Sequence, residues 1–182
     1  FDFAQRLEGL RRSIRLYHGV GTTAVYEGHG SAAETIAVYR ELAERGELSM
    51  RSFLCVSPSW ADASEAKRAM RDWLGFARGA GLGDDWLRVA GIFVGIEGDP
   101  TVARLCRDAL PNTGWTGFVE WYNRLDDFRE IAFLAAQNDL RLNTIVKDRL
   151  PEILTILEEV DRRYGIARKS WVIEHIGLID DA

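Results

Sequence analysis

Side chains that can bind metals or transfer protons follow the apolar runs of this sequence. His29 lies between two glycines after one such run, and His175 ends another. Glu97 and Asp148 each come within two residues of the end of a further apolar run. Imidazoles and carboxylates bind divalent metals, and both can accept a proton from water. We therefore predict a site in which His175 is a metal ligand and His29, Glu97 and Asp148 are catalytic groups.

Each candidate also has a purely structural interpretation. His29 could be an exposed loop histidine, and His175 a structural histidine held by hydrogen bonds. Glu97 could accept hydrogen bonds from loop amides, and Asp148 could be the N-cap of the helix that follows it. Strand alternation predicts that Glu174 and His175 point to opposite sides of their strand, one toward the pocket and the other toward the helices. The residues alone leave these alternatives open.

Five short apolar runs alternate with stretches of helical periodicity. The predicted strands are 22–26, 51–56, 89–96, 140–146 and 170–175. The predicted helices span approximately 3–18, 31–46, 62–79, 126–138 and 148–164, the last closed by Gly165. Ser31 with Glu34, and Asp62 with Glu65, have the spacing of a capping box at a helix start. Residues 27–30 are predicted to be a loop.

This alternation predicts parallel βαβ units with right-handed crossovers, and hence an α/β fold. A doubly wound sheet and part of a (β/α)8 barrel both fit it. A complete barrel needs eight strands and about 250 residues, whereas this chain has 182 residues. The sequence contains neither G-x-G-x-x-G nor G-x-x-x-x-G-K-[ST], the two glycine-rich nucleotide-binding motifs. No motif therefore supports a nucleotide-binding sheet. In both architectures the carboxyl ends of the strands meet at one face, where we expect the candidate residues to lie.

Composition narrows the class of protein. The chain is 47% hydrophobic and 28% charged, a composition that predicts one substantial core. Its net charge of −5 argues against nucleic acid or an anionic membrane as a partner. No apolar run is long enough to span a membrane. Cys55 and Cys106 lack metal-ligand spacing and are predicted to be free, buried thiols in a reducing compartment, the cytoplasm. Because the chain begins at Phe1, we expect it to be a segment of a longer protein.

Several segments, taken in chain order, carry a family resemblance. They are 19–25, 39–48, 83–92, 97–98, 101–103 and 173–179. Their order and spacing resemble the metal-dependent amidohydrolase superfamily, in particular its family-three branch, which includes formamide-deformylase-like enzymes. The likeness covers nearly the whole chain.

The resemblance implies a partial (β/α)8 barrel in which the five predicted strands are family strands two to six, so that residues 1–182 form a single α/β segment. It implies hydrolysis of an amide or another non-peptide C–N bond in a small-molecule substrate, by water activated on one or two divalent metals, usually zinc. It also implies a ligand role for His175, and Asp148 matches the aspartate of the family's Gly-Asp.

The sequence also departs from the family pattern. It has no His-x-His, it reads Gly91-Ile92-Phe93 where the family has Gly-Ile-Lys, and it has Thr144 near the usual strand-five histidine. A catalytic zinc needs about three protein ligands, so a diverged, non-catalytic barrel segment is the alternative function. Five barrel strands leave open edges, which predicts self-association or a complementary barrel segment as partner.

Overall fold

A computed structural model of the chain describes residues 1–58, 60, 62–96, 122–147 and 149–176. Its sheet has strands β1 to β7: Ala24–Ser31, Arg51–Val56, Leu82–Gly83, Leu87–Ile96, Tyr122–Asn123, Leu142–Lys147 and Val172–Ile176. Its α-helices, α1 to α5, are Phe3–Gly19, Ala33–Glu44, Ala63–Asp72, Leu125–Gln137 and Leu150–Tyr164. None of these described helices is long and apolar enough to cross a membrane.

The five long strands lie side by side in chain order, β1-β2-β4-β6-β7, and every neighbouring pair is parallel. The short strand β3 runs antiparallel to β4, and β5 pairs with the carboxyl end of β4. This sequential order confirms the partial barrel and excludes the reversed order of a doubly wound sheet.

The sheet is strongly curled. Asn143 of β6 donates hydrogen bonds to the Tyr26 hydroxyl and to the Gly28 carbonyl oxygen of β1, although β2 and β4 lie between these strands in the sheet. Such a contact across the concave face requires the sheet to bend back toward itself. The first and last strands therefore approach each other at their carboxyl ends.

Alternate strand residues face two different environments. The larger core joins Leu54, Ile92 and Leu142 of the sheet to Phe128 and Ile131 of α4. A smaller cluster of Cys55, Phe93 and Ile145 fills the other face. Residues 89–96 of β4 are all buried, as predicted for a strand covered on both sides.

Helix α1 forms a separate packing unit with α2. Leu7 and Ile14 of α1 are buried against Val38 and Leu42 of α2. These positions agree with the apolar periodicity of the sequence. At the other end of the chain, Gly165 ends α5 in the left-handed conformation with φ +63°, as predicted.

The start of α2 differs from the prediction. Strand β1 continues through residues 27–30, which were predicted to be a loop, and ends at Ser31. The N-cap of α2 is therefore Ala32, which makes no side-chain capping bond, and the predicted Ser31–Glu34 capping box is wrong. Ser31 is fully buried and its hydroxyl has no hydrogen-bond partner in the described structure.

The second predicted cap is correct. The Asp62 carboxylate accepts a hydrogen bond from the Glu65 backbone N–H at 2.9 Å and begins α3. Helix α3 ends at Asp72 and is followed by a 3-10 turn over Leu74–Ala77, so the predicted helix to residue 79 is too long. The buried side chains of Leu74 and Ala77 are carried by this tighter turn.

Candidate metal centre

Three potential metal ligands meet where the first and last strands of the sheet end. His29 of β1 and Glu174 and His175 of β7 each offer a ligand atom, and these atoms all lie within 4.8 Å of one another. The His29 Nδ1 atom is 3.7 Å from Glu174 Oε2, and the His29 and His175 ring centroids are 4.6 Å apart. The curl of the sheet brings these strands together, although they are its two outermost members.

An irregular strand end places His29 in this cluster. Between Glu27 and Ser31, four residue steps of β1 pair with only two steps of β2, from Leu54 to Val56. The extra residues form a bulge, which can redirect a side chain next to a site. The His29 ring consequently lies on the concave face, and its centroid is 5.7 Å from the centroid of the Phe93 ring.

Both glycines beside His29 are required by the local geometry. A Cβ atom at Gly28 would clash with the Oε1 atom of Glu174. Gly30 has φ +85°, a conformation that favours glycine, and a Cβ there would lie 2.7 Å from the Phe93 Cβ. Glycine on each side of the histidine thus allows both the bulge and the close approach of Glu174.

His175 does not follow the predicted alternation. Its φ is +51°, in the left-handed region that L-residues rarely adopt. This turn of the backbone brings ligand atoms of both Glu174 and His175 into one cluster. The prediction that they face opposite sides of the strand is therefore wrong. Strain of this kind costs on the order of 1–3 kcal/mol and is found preferentially at functional sites.

A fully buried amide holds the carboxylate of the cluster. The Nδ2 group of Asn143 donates to Glu174 Oε1 at 3.3 Å and to the Gly28 carbonyl oxygen at 3.1 Å. These hydrogen bonds connect Glu174 of β7 to Gly28, the residue that precedes His29. Sequence reasoning missed Asn143 because only strand ends were searched. The available signal was an amide inside an apolar strand.

Burial raises the pKa of two groups near the cluster. For Glu27, desolvation raises the pKa, and the neighbouring His29 opposes the shift through its charge and its backbone N–H. For the Cys55 thiol, burial is again the main cause, and the negative charge of Glu174 adds to it. Cys55 is a free, buried thiol, as predicted, and its raised pKa disfavours the thiolate that a metal would require. Cys106, for which the same was predicted, lies outside the described residues.

The donor set fits a divalent metal. Two imidazoles and one carboxylate are the protein ligands of one common type of catalytic zinc site, which leaves a fourth position open. Bonds of 2.0–2.2 Å in tetrahedral geometry place the donors about 3.4 Å apart, close to the 3.7 Å between His29 and Glu174. His29 and Glu174 are partly buried, whereas His175 is exposed, so the open side of the cluster reaches solvent.

Of the four predicted site residues, the structure brings His29 and His175 together. Glu97 and Asp148 lie outside the described residues. Thr144, which stands near the family's strand-five histidine, is fully buried and donates to the Val94 carbonyl oxygen at 2.7 Å. The third histidine, His18, lies in the last turn of α1, does not belong to this cluster, and has its Nε2 atom 3.0 Å from the Ser49 hydroxyl.

Comparison with known proteins gives a fold likeness only. No family model and no curated protein sequence matches the chain. An uncharacterized metal-dependent hydrolase from Pyrococcus horikoshii OT3 is similar with a TM-score of 0.65 and 16% identity, over 100% of this chain and 34% of that one. A second, from Pyrococcus furiosus, has a TM-score of 0.66 and 17% identity, over 100% and 35%.

The chain therefore has the fold of part of a barrel found in metal-dependent hydrolases. It spans about a third of the length of these two structures. At 16–17% identity the match concerns the fold alone.

Proposed function

We propose that this chain is the metal-binding part of a hydrolase that cleaves amide or other non-peptide C–N bonds in a small-molecule substrate. One observation carries the proposal: His29, Glu174 and His175 cluster at the carboxyl ends of the strands of the five-stranded partial barrel, called the half-barrel from here on. The fold of the two Pyrococcus hydrolases agrees with this function, and the bond type comes from the sequence resemblance.

In this proposal His29, Glu174 and His175 hold one divalent metal, and their donor set suits zinc. A zinc ion bound at such a site lowers the pKa of coordinated water to about 7 and polarises a carbonyl oxygen. Asn143 orients the Glu174 carboxylate through its amide hydrogen bond. Partners of this kind typically contribute 10- to 100-fold to metal affinity.

Proton transfer needs a further group, because the three ligands direct their free electron pairs at the metal. Glu97 and Asp148 follow strands β4 and β6 in the sequence, and we propose that one of them takes the proton of the attacking water. His29 then has a ligand role in place of the catalytic role predicted from the sequence.

We further propose that the half-barrel works with a complementary barrel segment or a second copy of itself. The sheet has β1 and β7 as its outer strands, and the chain spans only a third of the neighbouring structures. Helix α1, which precedes β1, exposes Leu16 and Tyr17, and the residue after the helix, Val20, is exposed as well. Open strand edges and exposed apolar side chains are features that proteins normally cover.

Metal analysis of the purified chain tests the site. We expect about one equivalent of zinc after dialysis against the metal, and a clear loss of affinity in His175→Asn. Asparagine is suitable there because it tolerates the left-handed backbone while removing the imidazole. We expect a decrease of more than 100-fold, larger than that for a partner of a ligand.

His18→Gln is the matched control, because it removes a histidine outside the cluster. Unchanged affinity in this variant, with loss in His175→Asn and His29→Gln, assigns the metal to the cluster. Equal affinity in all three variants, or no bound metal in the parent chain, would reject the metal site. Turnover of N-acyl and cyclic amide substrates by the zinc-loaded chain then separates the hydrolase from a non-catalytic barrel segment.

A further inference from the structure

A small cavity lies beside the amino ends of β6 and β7. It has a volume of about 220 Å³ and is lined by Gly79, Asp139, Arg141, Arg168, Lys169 and Ser170. Arg141 immediately precedes β6, and Ser170 comes just before β7. The metal cluster sits at the carboxyl ends of the strands, so the backbone segments that line the cavity lie toward the other end of the sheet.

The cavity carries an excess of positive charge. Three of its lining side chains are cationic, and Asp139 is its one carboxylate. That carboxylate is already paired, since Lys169 Nζ lies 2.7 Å from Asp139 Oδ1. Arg141 and Arg168 have no carboxylate partner among the described residues. Two arginine residues that line one small cavity and have no carboxylate partner favour an anionic ligand.

Arg141 supplies an unsatisfied donor. Its side-chain Nε is buried and has no hydrogen-bond partner in the described part of the chain. The guanidinium carbon lies 5.0 Å from the Phe53 ring centroid, and the guanidinium also hydrogen-bonds the Tyr26 side chain. A buried N–H of a charged group without an acceptor is costly, and an anion in the cavity would provide one.

The backbone of the cavity has a conformation suited to anions. Lys169 has φ −91° and ψ 1°, and the next residue, Ser170, has φ +53°. A right-handed residue followed by a left-handed one can turn successive N–H groups toward one point and make an anion-binding concavity. The Lys169 N–H already donates to the Ile166 carbonyl oxygen at 2.8 Å, so the N–H groups of Ser170 and Trp171 are the ones that would face an anion. Asp139 and Ser170 are two of the three non-glycine residues with positive φ in the described structure, and the third is His175 of the metal cluster.

We infer that this cavity binds a small oxyanion such as phosphate or sulfate, held by Arg141, Arg168 and the backbone N–H groups of Ser170 and Trp171. The ligand could be a free ion or the head group of a small phosphate ester, because both present the same oxygens to the guanidinium groups. This site is independent of the hydrolase proposal, since none of its residues belongs to the metal cluster.

Calorimetric titration with inorganic phosphate at low ionic strength tests the inference. The full chain is first treated with EDTA, so that no metal at the other site can bind the anion. We expect saturable binding, weakened about tenfold or more in Arg168→Gln, which loses a charge-assisted hydrogen bond. In amide NMR spectra phosphate should shift the signals of Lys169, Ser170 and Trp171. Glycerol phosphate in a parallel titration distinguishes an ester head group, if it binds, from a free ion, if it does not.

Arg162→Gln is the matched control, with the same loss of charge at an exposed residue near the end of α5 that does not line the cavity. Its affinity for phosphate should stay within about twofold of the parent chain. The inference is overturned if the parent chain shows no saturable binding below about 10 mM phosphate. Equal weakening by Arg162→Gln and Arg168→Gln would also overturn it, since it would indicate diffuse attraction to the whole surface.

Discussion

At the scale of single residues, the geometry of the proposed metal cluster depends on side chains other than the three proposed ligands. Gly28 leaves the space that the Glu174 carboxylate occupies, and Asn143 links that carboxylate to the Gly28 carbonyl oxygen. His175 takes a strained backbone conformation that turns it into the cluster. The ligand geometry is therefore set by a glycine, a buried amide and one unusual φ angle.

Gly28→Ala should damage the cluster. The added Cβ clashes with Glu174 Oε1 and lies 3.1 Å from Asn143 Nδ2, so the carboxylate must move. We expect zinc affinity to fall about 10- to 100-fold, and the free energy of unfolding to fall by roughly 1–3 kcal/mol. Competition with a chromogenic chelator measures the zinc affinity, and urea denaturation measures the free energy of unfolding.

The matched control is Gly9→Ala in α1, where a Cβ would meet nothing within 4 Å. Because alanine favours the helix, this variant should gain roughly 0.5–1 kcal/mol of stability, with zinc affinity unchanged. Parent-like zinc affinity in Gly28→Ala would show that the Glu174 carboxylate does not need its present position.

At the scale of elements, the end of β1 and the start of α2 depend on one another. Because the strand continues to Ser31, the helix begins one residue later than the sequence pattern predicts, with Ala32 as its N-cap. Ala32 has φ −72° and ψ 160°, the extended backbone typical of an N-cap, but alanine has no oxygen to offer. Helix α2 thus lacks a stabilising contact that α3 receives from Asp62.

Two substitutions test this boundary. Ala32→Ser should raise the free energy of unfolding by about 1 kcal/mol, because a serine hydroxyl can accept a hydrogen bond from the first turn of α2. Ser31→Ala should leave stability within about 0.5 kcal/mol or raise it slightly, because the buried hydroxyl has no partner to lose. Thermal and urea denaturation give both values. If Ser31→Ala instead cost about 1 kcal/mol, Ser31 would be the cap after all.

At the scale of the whole molecule, the half-barrel has two outer strands and exposed apolar side chains at the end of α1 and directly after it. Leu16 is 75% exposed and Val20 is 80% exposed. Both lie near the end of α1, the helix that leads into the outer strand β1. A surface of this kind favours association with another segment or a second copy.

Light scattering should detect this association in the isolated chain, as an apparent mass that rises with protein concentration. The double variant Leu16→Lys/Val20→Lys should weaken association by about tenfold or more, because burial of each large apolar side chain contributes roughly 1.5–3 kcal/mol. Leu154→Lys, an exposed position on α5, is the control and should behave as the parent chain. A constant monomer mass at high concentration would contradict the expected association.

Much of the fold was predictable because its signals are local. The apolar runs predicted four of the five long strands to within two residues and the first strand, β1, without its last five residues, and helical connections between the strands predicted a parallel sheet in chain order. His29 and His175 were found because parallel strands collect functional side chains at their carboxyl ends. The place of Asn143 was not predictable in this way, because its partners are residues 28 and 174, on other strands.

The sequence by itself determined the strand–helix alternation, the parallel arrangement and the two histidines at strand ends, because each depends on local periodicity and connection length. Only the tertiary structure decided that His29 and His175 belong to one cluster, that Glu174 joins them, and that β1 runs on to Ser31. These features depend on how strongly the sheet curls and on single backbone angles, which arise from contacts between distant parts of the chain.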